Sequence, residues 1–169
     1  MHQVITVIVY AENKNEALDK AKTIFERLCE NQYPFDYFTT FDEDGIGTSG
    51  KDRWGNLPAV TLAISKKGKE LIEQGIKFTK DEFMENLKII RKLLKKKTDK
   101  ELFEKDGGVE MFRFSCYQIG RHRGSSVWLY DNDGEGITDP EHLKNVLKKW
   151  NDKSYRGLKI YVVPADVHY

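Results

Sequence analysis

The stretch Val4–Tyr10, VITVIVY, constrains the fold more than any other in the chain. It is β-branched and almost continuously apolar. A strand with one wet face would alternate. This one does not, so it predicts a central strand covered on both faces. Directly after it, Asn13 and Glu16 have the spacing of a capping box. Ala17, Leu18, Ala21, Ile24, Phe25 and Leu28 then recur at helical spacing on one face. Tyr33-Pro34 would end that helix. The chain therefore begins strand, then helix. With 169 residues it is long enough for one domain with a real core and too short for two, so a single domain over 1–169 is expected.

Further along, Phe35–Phe41 is a weaker strand, and 42–57 is a glycine-rich loop before a strand at Pro58–Ile64. Two helices follow. Ser65–Gln74 would stop near Gly75. Thr79–Lys97 would open with Thr79 and Glu82 as a capping box and Phe78 with Phe83 as a staple. Thr98 and Glu101 start a short turn with Leu102 and Phe103, which Asp106-Gly107-Gly108 breaks. Val109–Tyr130 then reads as a long hairpin. Phe112, Phe114 and Cys116 share one face of its first strand, and Met111, Arg113, Ser115 and Tyr117 the other. Ser126–Tyr130 is the return strand. Thr138-Asp139-Pro140-Glu141 opens the last helix, with Leu143, Val146, Leu147 and Trp150 on one face. Leu158–Val163 closes the chain as a strand that Pro164 stops. This order predicts an α+β fold. It would be a single-domain two-layer sandwich, with a mixed sheet of five or six strands, helices mostly on one face, and room for a ferredoxin-like part.

Charged residues make up 33% of the chain, yet the formal net charge is only +1. No global field draws in nucleic acid or anionic lipid, and such binding would need a local patch. Cys29 and Cys116 lack any zinc spacing and read as two buried free thiols, which suits a reducing compartment. No signal peptide is visible, and Val4–Val9 is too short for a membrane span. A cytoplasmic protein without a membrane partner is expected.

Four segments carry candidate chemistry. Gly45–Asp52 nearly matches two phosphate-loop patterns, but Asp52 stands where Ser or Thr should be, and Arg53–Pro58 is not expected to open the helix such a loop needs. A mobile lid anchored by Trp54 is the plainer reading. Gly120–Ser126 brings Arg121, His122, Arg123, Ser125 and Ser126 to the hairpin tip, donors suited to a phosphate. Asp131, Asp133 and Glu135 fall in a loop like the first half of a calcium-binding EF-hand, but His142 stands at its twelfth position. The plainer reading is an acidic turn before a helix. Asp166 and His168 would face the same side of a strand, where they could ligate a divalent ion or orient a base. His2 carries no signal.

Arg53–Pro58, Phe112–Ile137 and Tyr161–Tyr169 together resemble a family of uncharacterised proteins from archaea and prokaryotic viruses, over most of the chain. The resemblance implies no catalytic residue. It implies a viral or mobile-element accessory protein in a prokaryotic cytoplasm.

The first functional expectation is a non-enzymatic binder of an anionic ligand, a nucleotide or nucleic acid phosphate, at Arg121, His122, Arg123, Ser125 and Ser126, with 42–57 as a lid and no cofactor. One alternative is a metal-dependent phosphoesterase or nuclease. In it Asp131, Asp133, Glu135, Asp166 and His168 supply ligands for Mg, Mn or Ca, and His122 serves as acid or base. Another is a protein–protein adaptor, including a homodimer, that uses a sheet edge or aromatic patch.

Overall fold

The computed structural model describes residues 1–30, 34–44, 47–104, 108–148 and 155–169. Its centre is a five-stranded mixed sheet in the order β2-β5-β1-β4, with β3 on the same edge of β5 as β2. The strands are β1 (His2–Ala11), β2 (Tyr37–Thr40), β3 (Thr61–Leu62), β4 (Leu129–Tyr130) and β5 (Lys159–His168). The helices are α1 (Lys14–Cys29), α2 (Lys51–Trp54), α3 (Lys66–Lys96), α4 (Asp99–Glu104), α5 (Glu110–Ile119) and α6 (Pro140–Lys148). This is the α+β class that the sequence predicts.

β1 is the central strand, antiparallel to β5 along its whole length and parallel to β4. Its continuous apolar run has the predicted cause, since both faces are covered. Ile5, Val7, Val9 and Ala11 pack with α1 through Ala17, Ala21, Ile24, Phe25 and Leu28. Ile8 and Tyr10 pack on the opposite face with Leu71 and Ile72 of α3 and Val146 of α6. Helices thus crowd one face, while α1 covers the other. β1 and β2 are both antiparallel to the β5 between them, so β1–α1–β2 is a split β–α–β unit, the ferredoxin-like part of the expectation.

Local chemistry fixes the helix starts. Asn13 Oδ1 accepts from the N–H groups of Asn15 and Glu16, and Glu16 reaches back to the Glu12 N–H at 2.8 Å. Thr98 and Glu101 form the predicted capping box ahead of α4. Asp139 caps α6 by accepting from His142 N at 2.8 Å. Tyr33, Asp106, Gly107 and Trp150, to which the sequence reading also gave roles, lie outside the described residues.

Several predicted elements take another form. The long hairpin does not exist. Its first arm is helix α5, and only Leu129–Tyr130 of the return arm is strand. Val109, Ser115 and Gln118 are buried at separations of six and three, which is a helical stripe, while Met111, Phe114 and Tyr117 stay exposed. Cys116 is therefore exposed and Cys29 partly buried, not the buried pair expected. The two helices around Gly75 are one helix, α3. A Cβ on Gly75 would lie 3.1 Å from that of Leu129, so this glycine admits β4 and does not end the helix. Thr79 is a mid-helix residue whose hydroxyl bonds Gly75 O and accepts from Trp128 N at 3.0 Å. Pro58–Ile64 shrinks to β3. β5 runs straight through Pro164, which faces Thr6 of β1. On its other side Pro164 falls between the residues that pair β3 (Tyr161, Val162) and those that pair β2 (Ala165–His168), where the outer edge has no partner strand among the described residues.

Candidate functional site

The described residues of the glycine loop do not build a phosphate cradle. Gly45 and Ile46 lie outside the described residues. Contrary to expectation a helical turn, α2, does follow, but it is only Lys51–Trp54. Asp52, the residue that spoils the phosphate motif, accepts from Gly47 N at 2.8 Å and so folds the loop on itself. Gly50, at φ 56°, donates its N–H to Asp166 Oδ2 at 2.9 Å. Trp54 and Leu57 then line a cavity of about 480 Å³ whose wall also includes His2, Phe78, Trp128 and Tyr169. Phe78 and Trp128 meet edge-on, with centroids 6.0 Å apart.

The five predicted anion ligands separate into two groups. Arg123 pairs with Glu135. Ser125 Oγ accepts from Gln118 Nε2 at 3.2 Å. Arg121, His122 and Ser126 line a second pocket, of about 290 Å³, together with Gln118, Thr79 and Asp139. The Arg121 guanidinium lies over the Tyr117 ring, 4.6 Å from its centroid. Ser126 Oγ donates to Gln118 O at 3.3 Å. Gln118 is buried, and its Oε1 has no hydrogen-bond partner among the described residues. The loop is anchored from below. Gly124 N donates to Tyr130 Oη at 3.0 Å, and burial pushes the pKa of that phenol well above the usual range. The next loop closes over it, with Gly136 N donating to His122 O at 3.0 Å.

The predicted metal ligands also fall in two places. Asp131 Oδ1 accepts from the backbone N–H groups of Asp133 and Glu135, and its Oδ2 lies 3.3 Å from His142 Nε2. The carboxylate thus holds its own turn, and His142, out of place for a calcium loop, is its partner. Asp133 and Glu135 point outward as exposed groups. Asp166 and His168 lie on β5 opposite Val4 and His2, whereas the β4 pairing next to Asp131 is with Thr6 and Val7. Among the described residues, no three or more His, Cys, Asp or Glu side chains form a group that could hold a metal ion.

Asp166 and His168 do face the same side, but their closest partners lie elsewhere. Asp166 is 1% exposed, and both its carboxylate oxygens lie 3.1 Å from His2 Nδ1. His2 Nε2 in turn lies 3.4 Å from Tyr37 Oη. His168 Nδ1 pairs with Asp36 at 2.7 Å, and its ring stacks on Tyr37 at 5.1 Å and 6°. His2 and Tyr37 were missed by sequence reasoning. The only signal for them is register, which sets His168 between His2 on one side and Tyr37 on the other.

No helix among the described residues is long and apolar enough to cross a membrane. No curated protein and no solved structure matches the chain. One family does, over residues 1–169, and the chain belongs to it: the family described as a domain of unknown function, DUF7995.

Proposed function

We propose that the protein binds a nucleotide-like anion, a phosphate ester that also carries hydrogen-bond donors, in the pocket beside Arg121, His122 and Ser126. What carries the reading is the chemistry of that pocket. Arg121 and His122 supply donors for phosphate oxygens on one side. Gln118 Oε1, buried and without a partner among the described residues, is an acceptor on another. Leaving such a group unpaired costs roughly 1–3 kcal/mol, which a ligand N–H or O–H would relieve. Asp139 on the same wall disfavours bare phosphate and favours a ligand that turns donors toward it. A nucleotide has both halves. Arg123 and Ser125 do not line this pocket and leave this reading.

Thermal unfolding with mono- and dinucleotides, and with inorganic phosphate as control, tests the proposal. A nucleotide at a hundred times its Kd stabilises the fold by about 2.7 kcal/mol. Arg121→Ala should weaken binding by at least about tenfold, the worth of a charge-assisted hydrogen bond. Arg123→Ala should leave it nearly intact. Equal losses in the two variants, or no shift with any nucleotide, would overturn the reading.

A further inference from the structure

We infer that Asp166, His2 and Tyr37 form a proton-relay triad in which Tyr37 is the nucleophile, acting on a phosphodiester.

The three residues come from three adjacent strands, so the sheet itself sets their spacing. Asp166 on β5 is closed off from solvent and held twice, by His2 Nδ1 and by Gly50 N. A buried carboxylate against Nδ1 keeps that nitrogen protonated and leaves the lone pair on Nε2. Nε2 faces the Tyr37 hydroxyl at 3.4 Å. Such contacts are loose without a substrate and shorten in the complex. Tyr37 is 44% exposed, so the residue can be reached from solvent. His168, fixed by Asp36, stacks on the phenol ring and sets its plane. A nucleophile, a base in reach of it and a third group that orients the base make up the pattern of an activated nucleophile. Asp166 acts through His2 and is a positioning residue.

The step balances. His2 Nε2 takes the phenolic proton as the Tyr37 oxygen attacks phosphorus. The bond from phosphorus to the leaving alkoxide breaks, and the imidazolium returns its proton to that alkoxide. A phosphotyrosyl ester remains. Water then attacks the phosphorus, His2 takes the proton from water and gives it to the departing phenolate, and Tyr37 is restored. The phosphodiester class rests on the anion-binding reading above. The triad does not.

The test therefore begins without a ligand. The purified chain is treated with an aryl sulfonyl fluoride, which transfers its sulfonyl group to activated phenols with loss of fluoride, and tyrosine adducts are mapped by mass spectrometry. Tyr117 is the internal control, since it is 53% exposed. Tyr37 should react at least about a hundredfold faster than Tyr117, the lower end of what a positioned base supplies. His2→Gln and Asp166→Asn should bring that ratio toward one, and Tyr37→Phe should remove the adduct. Equal rates at Tyr37 and Tyr117 in the unaltered chain overturn the triad, and that measurement needs no variant to fold. The ratio is measured with no nucleotide present, and thermal unfolding reports nucleotide binding by itself, so failure of the anion pocket and failure of the triad are read separately. Bis(4-nitrophenyl) phosphate should then release nitrophenolate with the unaltered chain and not with Tyr37→Phe. An active triad with no such release overturns the phosphodiester assignment.

Discussion

Gly68 sits where the first turn of α3 crosses the backbone of Leu62 and Ala63. A Cβ there would lie 2.1 Å from Leu62 O and 2.9 Å from Ala63 Cα, both backbone atoms that cannot swing away. Gly75 is different, because its nearest neighbour would be the Leu129 side chain at 3.1 Å. Alanine gains up to about 1 kcal/mol over glycine within a helix, and an overpacked site costs about 1–3 kcal/mol. Gly68→Ala should therefore lose about 1–3 kcal/mol, whereas Gly75→Ala should stay within about 1 kcal/mol of the original chain. Urea unfolding of both variants checks this, and a Gly68→Ala protein as stable as the original would contradict it. The same dependence on neighbours sorts the two arginines of the 120–126 loop. By type they are equal donors. Glu135 claims one of them, and residue type alone does not reveal that choice.

At the scale of elements, α5 shows what patterning conveys and what it hides. Phe112–Cys116, FRFSC, alternates apolar and polar residues, which reads as a strand. The buried set Val109, Ser115 and Gln118 is helical, but two of its members are polar, so the stripe is invisible to a hydrophobicity pattern. α1 and β1 were legible because their buried residues are apolar at the proper period. The caps at Asn13 and Thr98 were legible because they act within four residues. The break at Gly75 and the stop at Pro164 were misread for one reason. A glycine needed for close packing and a proline at an unpaired edge are tertiary facts that look locally like punctuation. Ser115 carries a prediction for this element. Its hydroxyl is fully buried against α3 with no hydrogen-bond partner among the described residues. Removing an unpaired buried hydroxyl recovers about 1–3 kcal/mol, less the small cavity left behind, and alanine is the better helix former. Ser115→Ala should thus raise the unfolding free energy by about 1 kcal/mol. A loss of similar size in urea unfolding would mean that the hydroxyl has a partner after all.

For the whole molecule, the sheet decides which distant residues meet. The ends of β1, β2 and β5 bring His2, Tyr37 and Asp166 together across more than a hundred residues, and no local spacing announces this. The same close packing makes the fold sensitive to alkali. Burial, aided by Asp36, pushes the Cys29 thiol from 9.0 up to about 11. Burial, with negative charge from Tyr155, Asp131 and Asp133, pushes Tyr10 from 10.0 up to about 12, and its hydroxyl donates to Val146 O in α6. Tyr130, fully buried on β4, shifts the same way. All three folded values lie above the unfolded ones, so the folded protein holds these protons longer. As pH rises past 9 the unfolded chain gives up the Cys29 proton first, then the tyrosine protons above 10, and stability falls. Each group contributes a slope of at most about 1.4 kcal/mol per pH unit until its folded value is passed. The urea midpoint should hold to about pH 9 and drop more steeply above about pH 10, and Cys29→Ser should delay the onset toward the tyrosine range. A midpoint unchanged to about pH 11 would show that these groups ionise in place and that the two sides of the sheet are open to water at α1 and α6.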